Sequence, residues 1–155
     1  MGTQQLLLIV LGVIIVGVAI AVGITIFNNQ AFNNSRQAVA TELSTYGTSA
    51  MQWWKTPTAQ GGAGRDFVAA SAVADIASYV GFTETDETLG TETGNFKLMS
   101  AADANTVVMQ GIGLENRGAD YPWVQATVDL VTGEITTETG VTTGATAWVT
   151  EETGS

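Results

Sequence analysis

Residues Leu6–Phe27 read LLLIVLGVIIVGVAIAVGITIF, 22 positions without a charge and with one polar side chain, Thr25. At ~1.5 Å per residue a helix of that length spans a ~30 Å hydrocarbon layer. Leu, Ile and Val dominate, Gly12, Gly17 and Gly23 interrupt, and there is no Pro, so the backbone can satisfy its own hydrogen bonds as one continuous helix in lipid. Such a surface has to be covered, either by lipid or by copies of itself. A cleavable secretory signal needs a basic start and an apolar run of ~7–15 residues, whereas here no basic residue precedes Arg36 and the run is longer. A single helix anchoring a domain at a membrane is the plainest reading of the hydropathy.

On the amino-terminal side, MGTQQ contains no Lys or Arg, although topology normally follows basic residues in short flanking loops. The chain therefore reads as though a basic leader has been removed. On the other side the helix continues. NNQAFNNSRQ is polar, but Phe32, Val39, Leu43, Tyr46, Ala50 and Trp54 recur at steps of three, four and seven, the spacing of one helical face. The pattern stops at WWKTP, where Pro57 disfavours helix at the residue before it and Gly61–Gly64 supplies a loop. From Thr3 to Trp54 one helix would extend roughly 78 Å, apolar all round in its first half and amphipathic in its second.

This architecture resembles a type IV pilin or pilin-like subunit. The resemblance rests on Leu6–Phe27 followed without a breaker by the Phe32–Trp54 stripe, and covers about a third of the chain. It implies an apolar half-helix that sits in the inner membrane before assembly and then packs in a filament core, with an amphipathic half against a small sheet-containing head. The implied partners are copies of the chain itself, inner-membrane lipid and the pilus assembly machinery. The resemblance also implies an extracellular filament on the cell surface, with no cofactor. The implied assembly residues are Gln4, Gln5, Leu6, Leu7, Gly12, Gly17, Gly23 and Phe27, and leader cleavage would fall between Gly2 and Thr3. Family members carry Glu at the fifth mature position. Here that position is Leu7 if the mature chain starts at Thr3 and Gln5 if it starts at Met1. Gln4 or Gln5 would then offer a carbonyl dipole in place of a countercharge. The mid-helix proline of many bacterial members is also missing, which marks a divergent member.

Composition narrows the remaining classes. Net charge is −10, with 15 acids and five dispersed basic residues, so no lysine or arginine patch exists for phosphate binding. Without Cys or His, disulfides, thiolate chemistry and histidine metal sites are excluded, and nothing assembles a nucleophile and base. An enzyme is not expected. The GluThrAspGlu run at 84–87 with Glu92 lacks EF-hand spacing and reads as a solvated acidic loop. Gly111-Ile112-Gly113 lacks the third glycine of a dinucleotide loop and reads as a strand end or bulge. Asn33-Asn34-Ser35 is a bare glycan-acceptor tripeptide.

The chain thus divides into residues 1–56, a long helix with 6–27 as membrane or filament-core segment, and 57–155, a globular α+β head with a Thr-rich end. In the head, Asp66 is placed to cap a helix whose face is Phe67, Ala70, Val73, Ala74, Ala77 and Val80, with Gly81 ending it. Residues 82–95 read as a loop. Strands are expected at Phe96–Ser100, Thr106–Ile112 and Trp123–Thr132, where Val124, Ala126, Val128 and Leu130 alternate with polar residues. A turn at Thr132-Gly133 returns Glu134–Thr137 as a hairpin, and Trp148-Val149 is a candidate last strand. Trp53 and Trp54 belong in the core where helix meets head. The stretch Thr132–Ser155 holds nine threonines, which suit an exposed sheet edge. The function expected is that of a structural subunit polymerising through its apolar helix; the alternative is a membrane-anchored monomeric binding module or a minor pseudopilin of a secretion system.

Overall fold

The computed structural model describes residues 2–66, 69–83, 87–99 and 105–148. Helix α1 (Gly2–Lys55) is continuous over 54 residues, about 80 Å at the standard rise. Its second half is buried along one stripe that includes Phe32, Val39, Leu43, Ala50, Trp53 and Trp54. The spacing of that stripe is the helical period read from the sequence, and both tryptophans lie in the core as expected.

The loop after Pro57 closes the end of α1 with backbone alone. Ala63 N–H donates to Trp53 O (3.1 Å), Arg65 N–H to Trp54 O (2.9 Å) and Gly64 N–H to Thr56 O (2.8 Å). These bonds satisfy carbonyls that a helix leaves without partners. Gly61 (φ 81°) and Gly64 (φ 63°) make the left-handed turns the loop needs.

Helix α2 (Ala69–Val80) packs on α1 and stops at Gly81 (φ 98°), where the N–H groups of Gly81 and Phe82 both reach Ala77 O. Its buried face is Val73, Ile76 and Ala77, whereas Ala74 is exposed. The expected face is therefore rotated toward Ile76, the larger side chain. Phe67 and residue 68, which bear on the expected Asp66 cap, lie outside the described residues.

Five strands, β1 (Thr88–Gly90), β2 (Gly94–Leu98), β3 (Thr106–Gly113), β4 (Tyr121–Asp129) and β5 (Ile135–Thr142), form one antiparallel sheet in chain order. The fold is α+β, a long helix laid on a small sheet beside a short helix. All the strand boundaries shift from the sequence reading, β3 only by the addition of Gly113 and β4 also by starting at Tyr121. Strand β1 falls in the expected loop, where Leu89 pairs opposite Phe96; a three-residue strand with one large apolar residue leaves no period to read. Strand β2 begins at Gly94 and ends at Leu98, and residue 100 lies outside the described residues. Strand β4 ends at Asp129, because the Asp129 carboxylate accepts N–H bonds from Val131 (2.8 Å) and Thr132 (3.0 Å) and turns the chain. Strand β5 then runs to Thr142, further than expected. Trp148 is in no strand; its N–H bonds Thr146 O in a turn, and residue 149 lies outside the described residues, as do 84–86 of the acidic run.

One face of the sheet meets α1. Phe96, Leu98, Val107, Met109, Val124, Ala126 and Val128 alternate onto it and are each at most 1% exposed. Glycines set how closely helix and sheet approach. A Cβ on Gly111 would stand 2.6 Å from Val39 Cγ1 and 2.8 Å from a Phe96 ring carbon, and one on Gly113 would collide with Ser35. On the helix side, a Cβ on Gly47 would meet Val128 Cγ2 at 2.9 Å. The Gly-Ile-Gly run thus ends β3 and also makes room for α1.

A polar clamp supplements this packing. Glu42 on α1 accepts from the Tyr46 hydroxyl (2.6 Å) and from Thr93 and Thr91 in the β1–β2 turn. Burial first, and then the Glu42 carboxylate, hold the Tyr46 phenol above its ordinary range. The Tyr46 ring meets Phe82 and Phe96 edge-on at 5.3 Å each. On the other face of the sheet, Gln110 Nε2 donates to Gln125 Oε1 at 2.8 Å across β3 and β4. There the segment after β5 folds back, tied by Asn95 Nδ2 to Ala145 O and Thr142 Oγ1 to Ala147 O.

Two predictions rest on these contacts. Gly111→Ala overpacks the helix–sheet seam and should destabilise the protein by about 1–3 kcal/mol, read as a lower thermal midpoint in detergent. The Thr132 and Val131 N–H bonds hold the Asp129 carboxyl below the usual carboxylate range. Its contribution is therefore full above its unfolded pKa of about 3.9 and is lost as pH falls through the lower folded value. Asp129→Ala should melt earlier than the parent at pH 7, and the gap should close progressively in acid; a gap independent of pH would assign the turn's stability to something other than the carboxylate.

Candidate functional site

The distinctive surface of this protein is the free side of α1. Between Leu6 and Phe27 the large apolar side chains are 49% to 69% exposed. Burying one such side chain is worth about 1.5–3 kcal/mol, and sixteen of them stand uncovered here. Even discounted by half, covering them is worth about 12–24 kcal/mol, comparable to or above the roughly 5–15 kcal/mol that holds a domain folded. The segment is long and apolar enough to cross a membrane.

Beyond Phe27 the free side becomes polar but stays uncharged. Arg36 and Glu42 are the only charged residues between positions 2 and 54, and both turn toward the head. Arg36 Nη2 reaches Gly140 O at 3.4 Å and its Nε is buried, while Glu42 is held in the clamp. What remains outward includes Gln37, Thr41, Thr45 and Thr48, with the threonine hydroxyls bonded to carbonyls one turn back. A water-facing helix ordinarily carries charge; on a chain of net charge −10, this side has none before Lys55, its exposed last residue.

All the sequence-derived assembly residues lie on α1 and on its free surface. Gln4, Gln5, Leu6, Leu7 and Phe27 are exposed, as are Gly2 and Thr3 at the start of the helix. A Cβ on Gly12, Gly17 or Gly23 would meet nothing within 4 Å among the described residues. They do not form a single row. At about 100° per residue Gly12 and Gly23 lie roughly 20° apart with Ala19 between them, while Gly17 is about 140° away. The sequon residue Ser35 is buried in the continuous helix beneath Gly113.

The base of the head adds residues that the sequence did not single out. The β3–β4 loop returns beside the end of the apolar segment, where Arg117 Nη1 bonds Asn29 Oδ1 at 3.5 Å. The guanidinium carbons of Arg117 and Arg36 stand 5.1 and 5.2 Å from the centre of the Phe32 ring. Next to them Phe27, Ala31, Asn34 and Ala38 of α1, with Glu92, Thr93, Leu114 and Glu115, border an open groove of about 460 Å³. Leu114 is 46% exposed. Its sequence signal is slight, a lone Leu opening an otherwise polar loop.

Compared with protein-family models, with curated proteins and with solved structures, the chain matches none. The architecture itself, a long apolar amino-terminal helix carrying a small antiparallel-sheet head, is pilin-like.

Because a Cβ on Gly23 would meet nothing within 4 Å among the described residues, Gly23→Leu should not destabilise the detergent-solubilised protein, and the better helix propensity of Leu should add up to about 1 kcal/mol. Circular dichroism melts check this, and a large loss would place the residue inside the monomer's own packing.

Proposed function

We propose that this protein is the structural subunit of a type IV pilus-like extracellular filament. It is held in the inner membrane by Leu6–Phe27 until the assembly machinery extracts it, and it polymerises through α1 while its head coats the outside. One observation carries the reading: the free side of α1 lacks charge from the membrane-length segment through the amphipathic half as far as Trp54, and Lys55, its last residue, is the first charge it presents. A monomeric anchor needs the uncharged membrane-length segment and has no use for an uncharged amphipathic half, since a helix face left in water gains by carrying charge. A helix-to-helix contact between copies profits from both, because van der Waals packing and hydroxyl hydrogen bonds drive association once charge is absent. Such a contact joins different patches on the two copies, so it propagates as an open helix. The acidic heads would keep the polymer soluble.

Electron microscopy of material sheared from producing cells, with intact mass of the same fraction, tests the proposal. Thin filaments containing this chain are expected. Retention of all the protein in the membrane, with no filament containing it, would favour the anchored module. Gly17→Arg should abolish the filaments, because it places a charge without a visible partner in the bundle; normal filaments from that variant would remove α1 from the polymer core.

A further inference from the structure

The groove at the base of the head is matched in composition by the start of α1. Its apolar lining is Phe27, Ala31, Ala38 and Leu114, interrupted by Asn34, Ser35 and Thr93, and Glu92 and Glu115 also border it. Neither carboxylate has an ion pair or a hydrogen bond among the described residues. The volume, about 460 Å³, is that of about three benzene-sized groups. An apolar helix end that carries hydrogen-bond donors complements such a groove. The beginning of α1 has that composition. Leu6, Leu7 and Leu8 are fully available, and Gln4 and Gln5 just before them bear side-chain amides, each with two N–H donors. From Leu6 to Phe27 the only other polar side chain is Thr25, whose hydroxyl is bonded to Ala21 O at 3.1 Å. The occupant cannot come from the same chain, because one rigid helix holds Gln4 and Ala31 about 40 Å apart.

We infer that this groove receives the start of α1 from a second copy. Leu7 and Leu8 lie on the apolar lining, and the Gln4 and Gln5 amides donate to the Glu92 and Glu115 carboxylates that border it. This deepens the filament reading and rests on it. It specifies that the two copies in contact are displaced by about 40 Å along their helices, the separation of helix start and groove. It also gives the two glutamines a role as donors.

The absence of cysteine from the chain makes a disulfide test clean. Filaments carrying both Leu7→Cys and Leu114→Cys are oxidised and run without reductant. Because the contact is head-to-tail, the double variant should give a ladder of dimers, trimers and longer species, whereas either single variant can give no more than dimers. Filaments that contain the double variant yet give no ladder would overturn the groove contact while leaving the polymer intact. Absence of filaments from the unsubstituted chain would instead sink the filament reading itself. A second readout does not depend on the double variant assembling. Maleimide labelling of Leu114→Cys alone should be slowed about tenfold or more in filaments relative to detergent-dissolved monomer, as for a site closed most of the time; equal rates would overturn the proposal.

Discussion

The seating of Val39, Leu43, Gly47 and Ala50 on β3 and β4 is the contact from which the other features follow. An unbroken helix of 54 residues has no bend to fix its position, so where the sheet grips it decides which residues project as a free rod. The grip is close because glycines stand on both sides of it, Gly47 on the helix and Gly111 and Gly113 on the sheet. Interiors are close-packed and tolerate little change in volume, so this seam behaves as a single fitted joint. The Glu42–Tyr46–Thr93 clamp and the Arg117–Asn29 contact secure its flanks.

The same helix therefore meets two different surroundings. In its second half the head supplies apolar cover for one side and draws Arg36 and Glu42 toward itself. In its first half nothing among the described residues supplies cover on any side. The boundary lies at Phe27–Phe32, where two guanidinium groups close over an aromatic ring and the exposed Leu114 comes alongside. The proposed assembly surface and the proposed groove meet at this boundary.

Much of this was legible in the sequence because it is written in local periods. The 22-residue apolar run and the spacing of Phe32, Val39, Leu43 and Tyr46 identify α1 and its buried face, and the alternation in Val124, Ala126 and Val128 identifies β4. Where no period exists the reading failed. Strand β1 is three residues long, β4 ends where the Asp129 carboxylate captures two N–H groups, and α2 rotates to bury Ile76 in place of Ala74. The groove was not legible, since it joins Phe27 to Leu114 and Glu92, residues brought together only by the sheet. Gly47 reads locally as a weakness in a helix and proves to be a point of close approach.

The sheet's strand order also has a kinetic meaning. Each strand pairs with the one made just before it, so every hairpin can close over a short loop, and chains dominated by near contacts fold fast for their size. Only the docking of the sheet on α1 spans a long stretch of sequence, and by then the helix, which is first in the chain, is already formed. A head built in this order can close its sheet from neighbouring hairpins, with the long-range step left to the seam against the helix.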